Sequence, residues 1–204
     1  MEKGFNFDLQ LFADPEKKVA TFGIAALQIR KMLTDPKDGT ATYDPNWIDL
    51  PIQDINMAVT VNRIKEKGDE VTLNVEPVID TNALTWSNAQ IPFTALAAIN
   101  GSTHAANAEG QTFLLEKGED VPAQFEMRAV TKKTYGGKGP LGIYIPKATG
   151  ILSVLPKSGD FANCSFDGEY MARKSDKKLR GFIILNVGQS IEDISEELFV
   201  AATP

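Results

Sequence analysis

The chain of 204 residues sets 21 Lys and Arg against 27 Asp and Glu and contains one His and one Cys. A length of roughly 100–200 residues suits one domain that buries its own core without disulfide staples. A structural zinc site draws about four ligands mainly from Cys and His, which Cys164 and His104 cannot supply, and a formal net charge of −6 argues against a chain-wide grip on phosphate backbones.

The first element is an arm. Phe5, Phe7, Leu9 and Leu11 alternate with Asn6, Asp8 and Gln10, the period of an extended chain with one apolar face, until Asp14-Pro15 stops it. Residues 1–16 form this arm, 17–188 the body and 189–204 an acidic C-terminal segment. The arm's apolar face is covered either by something outside the body or by the body's own sheet, as an edge strand. Its polar interruptions disqualify Phe5–Ala13 as a signal peptide core, and no run approaches the ~20 apolar residues of a membrane helix. The expectation is a soluble chain made in the cytosol, in which the matches Asn100-Gly-Ser102 and Asn163-Cys-Ser165 carry no glycan.

Val19 to Leu33 reads mostly as strand, and Thr34 to Asn46, with two prolines and a glycine, as a long exposed loop or loose hairpin. From Trp47 the alternation resumes through Ile55, Met57, Val59 and Val61. A turn at Glu66-Lys-Gly-Asp69 leads into Val71, Leu73 and Val75, which predicts a hairpin. Ile91 to Gly101 is the clearest helix, with Pro92 near its start and Asn100-Gly101 at its end. The segments 112–115, 123–134, 142–149, 151–155, 162–171 and 179–187 have strand character, and their regular turns predict a sandwich or barrel. At the end, Ile191, Ile194 and Leu198 fit one face of a helix that Ser190 and Asp193 could cap, its acidic face in solvent.

Catalytic motifs are scarce. Gly137-Lys-Gly-Pro-Leu-Gly142 fits G-x-G-x-x-G by letter, but Pro140 removes a loop amide and a strand follows where a helix is required, so it reads as a hairpin tip. No G-x-S-x-G elbow accompanies His104, which falls in a small-residue loop after the helix. Cys164 occupies an alternating strand position expected to lie in the core. The acidic residues sit in turns and at the C-terminus, without the apolar pocket that a glycosidase pair would need. No catalytic residue, metal or cofactor is expected.

Charge is more informative. Between Met127 and Gly159 stand Arg128, Lys132, Lys133, Lys138, Lys147 and Lys157 with no acidic residue, so the rest of the chain carries −12. Arg173, Lys174, Lys177, Lys178 and Arg180 follow against Asp176 alone, and then Glu192, Asp193, Glu196 and Glu197. Three readings stay open: a nucleic-acid patch, a face that meets the acidic face of an identical copy, or ordinary solvated strand faces.

Trp86-Ser-Asn-Ala-Gln-Ile-Pro-Phe-Thr-Ala-Leu96 followed by Asn100-Gly101 resembles the helix-bearing segment of major tail tube proteins from long-tailed bacteriophages. Gly110-Gln-Thr-Phe, Val121-Pro-Ala-Gln-Phe-Glu-Met-Arg-Ala, Ile145-Pro-Lys-Ala, Asp160-Phe-Ala, Ser165-Phe-Asp-Gly and Arg173-Lys-Ser-Asp-Lys-Lys-Leu are similar, in that order, to their C-terminal half. The opening Phe5-Asn-Phe-Asp-Leu-Gln-Leu-Phe-Ala resembles that of structural proteins from phages of Gram-positive hosts. Lys177-Lys178 stands where an acidic or glycine turn is expected, and the acidic C-terminal segment is an addition.

The resemblance implies a β-sandwich or barrel of the tail tube type, with a short flanking helix, an extended N-terminal arm and a long loop. Copies would form stacked hexameric rings in the virion tail, around a conduit for ejected DNA that touches the bore transiently and without sequence preference. It implies as partners the chain itself and tail terminator, distal tail and tape measure proteins, and no membrane. Subunit contacts are expected at Phe5, Phe7, Leu9 and Leu11 in the arm, Asp35, Lys37, Asp38 and Tyr43 in the loop, and the basic residues Lys132, Lys133 and Lys138. The rival expectations are another β-rich phage structural protein, such as a capsid decoration or tail completion protein, and a carbohydrate-binding β-sandwich.

Overall fold

The computed structural model describes residues 20–52, 54–68, 71–88, 91–134, 139–155 and 163–199. In chain order the elements are β1 (Ala20–Thr34), β2 (Thr42–Tyr43), β3 (Ile48–Leu50), β4 (Asp54–Gly68), β5 (Val71–Asn88), α1 (Phe93–Asn100), β6 (Thr103–Ala106), β7 (Thr112–Leu115), β8 (Phe125–Thr134), β9 (Pro140–Leu155), β10 (Asn163–Tyr170) and β11 (Gly181–Ile184). Two 3-10 turns end it, Ile191–Asp193 and Glu196–Phe199. Among the described residues the fold is mainly β and antiparallel with one short helix, as the alternation and the helix-end residues predict.

Six strands close on themselves in the order β1, β8, β9, β10, β5, β4 and back to β1. The long β9 makes closure geometrically feasible. Residues Pro140–Ala148 pair with β8 along one edge, Ala148–Leu155 pair with β10 along the other, and β11 lies against Leu141–Tyr144. The β8–β9 register shifts between Phe125 and Met127, a bulge of the kind that lets a barrel strand bend. The sequence divides β9 in two at Gly150; the structure runs one strand through it.

The interior is filled by side chains from every wall, among them Ile24, Leu27, Ile55, Leu84, Met127, Ile143 and Leu152. At its centre Trp86 stacks on Phe166, ring centroids 3.8 Å apart and 8° from parallel, and Phe125 meets both edge-on. Room for Phe166 comes from a pair of facing glycines, Gly150 on β9 and Gly168 on β10. A Cβ on Gly150 would stand 2.6 Å from Phe166 Cζ, and one on Gly168 would stand 2.3 Å from the Thr149 carbonyl oxygen.

α1 covers one end of the barrel, burying Ala95, Leu96 and Ile99, and ends on Gly101 at φ 74°, the left-handed conformation that glycine adopts without strain. Asn100 fastens this cap to the wall, donating to the Leu152 carbonyl at 2.9 Å and accepting from its amide at 2.8 Å. Beside α1, β6 and β7 form a separate two-stranded sheet. His104 lies on β6, so the loop expected there is a strand, its backbone paired opposite Leu114.

The hairpin predicted at Glu66–Asp69 is present and far longer than its turn required. Among the described residues β4 pairs with β1 at Asp54–Met57 and β5 with β10 at Ala83–Asn88; beyond these, Ala58–Gly68 and Val71–Asn82 pair with each other as a ribbon.

The C-terminal helix is replaced by two 3-10 turns. Ser190 and Asp193 do form the predicted capping box, and Ile191 and Ile194 pack with Val130, Tyr144 and Leu185. Arg128 Nη1 donates to the carbonyls of Glu192 and Ile194, at 3.1 and 3.2 Å. Those are acceptors an α-helix would need for its own ladder. A segment this short has little helical stability of its own, so the tertiary bond prevails.

Candidate functional site

β1 and β8 set up a second, polar layer outside the core. Leu27 and Ile29 alternate with Gln28 and Arg30, and Phe125, Met127 and Ala129 alternate with Glu126 and Arg128. The antiparallel register places Gln28 opposite Arg128 and Arg30 opposite Glu126, and opposite-charge cross-strand pairs stabilise a sheet. Such a face commonly meets water, yet Gln28, Glu126 and Arg128 are buried here. The loop that follows β1 and the C-terminal turns cover them.

Every group in this layer is bonded. Glu126 accepts from Arg30 Nε and from the Tyr144 hydroxyl. Arg128 Nε donates to Gln28 Oε1, and Gln28 Nε2 donates to Asp49, each at 2.7 Å. The Trp47 ring lies 4.5 Å from the Arg30 guanidinium and 4.0 Å from that of Arg128, a cation–π contact for which Trp is the strongest partner. Burial, followed by the charge and hydrogen bond of Glu126, holds the Tyr144 hydroxyl well above its ordinary pKa, so it remains a donor.

Arg173 forms the adjoining clasp. Its guanidinium donates to Asp176 within its own turn, to both oxygens of Glu196 at 2.8 and 2.9 Å, and to the Tyr43 hydroxyl at 3.1 Å. Tyr43 donates in turn to the Pro146 carbonyl at 3.0 Å. Burial pushes the Tyr43 hydroxyl up to about 12, against the opposing effect of the Arg173 hydrogen bond. Arg173 thus ties the loop to the C-terminal segment, and Tyr43 carries the connection on to β9. In the same turn Lys177 adopts φ 60°, the left-handed conformation that explains the expectation of glycine there.

Next to the clasp, Lys147 Nζ contacts Asp35 at 2.6 Å with 3% and 4% of their side chains exposed. Both Asp35 oxygens also accept from the Lys174 amide at 3.0 Å. Burial pushes the Asp35 carboxyl up, but the hydrogen bonds from Lys147 and Lys174 and the Lys147 charge outweigh it, leaving the group below its ordinary value.

The expected contact residues therefore divide. Asp35 and Tyr43 are fastened inside their own chain, a role their loop position did not disclose. Lys37, Asp38 and Lys132 are exposed, and Lys133 falls near the end of β8. Phe5, Phe7, Leu9, Leu11 and Lys138 lie outside the described residues. Of the basic middle, Arg128 and Lys147 are buried, and Glu196 bonds both Arg173 and Lys178. Much of the charge segregated along the sequence is thus matched within one chain, and the acidic face expected in solvent partly serves as its complement. Sequence reasoning missed Arg30, Trp47, Glu126 and Arg173. Arg30 and Glu126 had a signal, since both interrupt strongly apolar strands at alternating positions.

The clasp makes stability pH-dependent. The Arg173 hydrogen bonds hold Glu196 below its ordinary 4.5 against the opposing effect of burial. Burial raises Asp176, yet the Arg173 hydrogen bonds prevail and leave it below 3.8. Depressed carboxylate values mean that this stabilisation is complete above about pH 5 and disappears as the pH falls through the folded values. Thermal melts should show a melting temperature level from pH 8 to 5 and declining below, with a smaller decline in Glu196→Gln. A melting temperature unchanged down to pH 3 would refute the assignment.

The layer acts as a fastening: its donors and acceptors satisfy one another. Elsewhere, His104 is exposed and edge-on to Phe93, and Cys164 is buried, its thiol pushed up by that burial. Among the described residues no three of His, Cys, Asp and Glu gather as a metal-binding group, and no helix is long and apolar enough to cross a membrane. No protein-family model matches the chain, and no curated protein matches its sequence significantly.

Proposed function

We propose that this chain is a self-assembling structural subunit of a phage tail tube, whose copies form stacked rings around the path of the ejected genome. The observation that carries the reading is the β4–β5 ribbon, which continues about 11 residues, or roughly 36 Å, past its last pairing with the barrel among the described residues. An isolated two-stranded ribbon is marginally stable in water, so a ribbon of this length suits a neighbour that adds strands or side chains to it. The resemblance of the segments from Trp86 to Leu179 supports the same reading, and the protein would act in the virion tail. Tail terminator, distal tail and tape measure proteins would be its other partners.

Electron microscopy of concentrated protein tests this directly. The intact chain should form rings or tubes of uniform diameter. Chains lacking residues 1–14, or with 61–79 replaced by a two-residue turn, should form fewer or none. A strictly monomeric or trimeric intact chain would overturn the proposal, and glycan binding without assembly would favour a carbohydrate-binding module.

A further inference from the structure

Two exposed faces of opposite charge lie far apart on the barrel. The first is the β6–β7 sheet with the turn that follows it. Phe113 and Leu115, at alternate positions of β7, and Val121 in the turn are exposed there, Val121 by 75%. The same segment carries the exposed Glu109, Glu116 and Glu119 and the half-buried Asp120 against Lys117. Glu116 accepts from Asn100 Nδ2 at 3.1 Å and Asp120 from the Lys117 amide at 2.7 Å, which leaves Glu109 and Glu119 unengaged by any side chain among the described residues. The second face is β11 with the turn before it. Arg180, Phe182 and Ile184 occupy alternate, exposed positions, with the Arg180 guanidinium over the Phe182 ring at 5.3 Å. Lys174 and Lys177 are exposed in the adjoining turn. Within that turn Asp176 is committed to Arg173, and Glu196 to Arg173 and Lys178, so the excess at this face is basic. Glu197 is the further exposed acid of the segment packed against it.

β9 measures their separation. β11 pairs with Leu141–Tyr144, whereas the cap that carries β6 and β7 is fastened at Leu152. From Tyr144 to Leu152 the strand runs eight residues, roughly 25 Å of contour. The turn that holds Lys174 is tied through Asp35 to Lys147, five residues or roughly 17 Å along the strand from Leu152, still beyond the reach of an ion pair and a Debye length at physiological salt. The two faces therefore cannot satisfy each other within one chain. Two different patches that fit each other make a heterologous contact, which repeats head to tail and either closes as a ring or continues as a filament.

We infer that the acid-rimmed β6–β7 face of one copy docks on the basic β11 face of the next, with Phe113, Leu115 and Val121 meeting Phe182 and Ile184 inside a rim of opposite charges. The occupant of each face is a second copy of this chain. This rests on the reading of the chain as a self-assembling subunit, and it identifies the surfaces through which it does so.

Charge reversal with rescue tests it. Glu109→Lys with Glu119→Lys, and separately Lys174→Glu with Lys177→Glu, should each raise the concentration needed for assembly about tenfold or more, as like charges replace opposite ones at the contact. The four substitutions together should return it to within about threefold of the original, because the faces become complementary again. Sedimentation velocity supplies the readout, with circular dichroism melts to establish that each variant folds. If the double variants assemble as the original does, or weaken without rescue, the docking assignment is wrong while the tube reading stands. An original chain that stays monomeric at every concentration overturns both.

Discussion

Asp35→Ala should lower the free energy of unfolding by about 3–5 kcal/mol, the range for removing one partner of a buried ion pair. Asp35 and Lys147 are 112 residues apart in sequence and almost wholly shielded from water. With the carboxylate gone, the Lys147 ammonium keeps its desolvation cost and loses its counter-charge. The neighbouring turn also suffers, because Lys174 N–H donates to both Asp35 oxygens.

The pair itself contributes less than that figure implies, since burying two charges offsets most of their attraction. Asp35→Leu combined with Lys147→Met should therefore recover most of the loss. A deficit of about 1 kcal/mol should remain for the hydrogen bond that the Lys174 amide loses. Urea denaturation at neutral pH measures all three variants. A loss below 1 kcal/mol in the single variant would mean that Lys147 reaches solvent when its partner is removed.

Gly168→Ala should be comparably damaging for a different reason. Its added methyl group would lie 2.3 Å from the Thr149 carbonyl oxygen and 2.6 Å from Phe166 Cζ. The first neighbour is backbone of the strand that closes the barrel, and the second is a ring held by Trp86. Neither can withdraw cheaply. Overpacking typically costs about 1–3 kcal/mol and more where main chain must move, so about 3 kcal/mol or more is expected, with widening of the β9–β10 seam. Hydrogen exchange should accelerate along β10, and near-ultraviolet circular dichroism should report loss of the Trp86 stack. Phe166→Leu in the same chain should recover part of the loss by vacating the space over the glycines. An alanine variant as stable as the parent would show that the facing glycines are incidental.

These two sites illustrate what the sequence could and could not convey. Strand identity was legible wherever one wall of the barrel faces the core, as in Phe125, Met127 and Ala129 of β8, because a period of two is local. The helix was legible from Pro92 and Asn100-Gly101 at its ends. Gly150 reads as a break when taken alone and becomes an accommodation only opposite Gly168. Asp35 looks like a loop residue until folding brings Lys147 to it. The burial of Arg128 and Arg173 was hidden for the same reason, since charged side chains are almost never fully buried unless paired and their partners, Asp176 apart, lie 23 to 130 residues away. The C-terminal periodicity was real, but Arg128 competes for its carbonyls.

The closing of the barrel also sets a timetable for synthesis. β5 is complete at Asn88, yet its outer edge pairs with β10, which ends at Tyr170, and β9 waits for the same strand. A chain emerging from the ribosome carries unpaired strand edges for about 80 residues of elongation, some 4–16 s at about 5–20 residues per second. Pairings this distant in sequence form slowly, and open edges are templates for association with other nascent chains. The chain's most exposed moment thus comes before it is finished, and cooler expression acts on that interval.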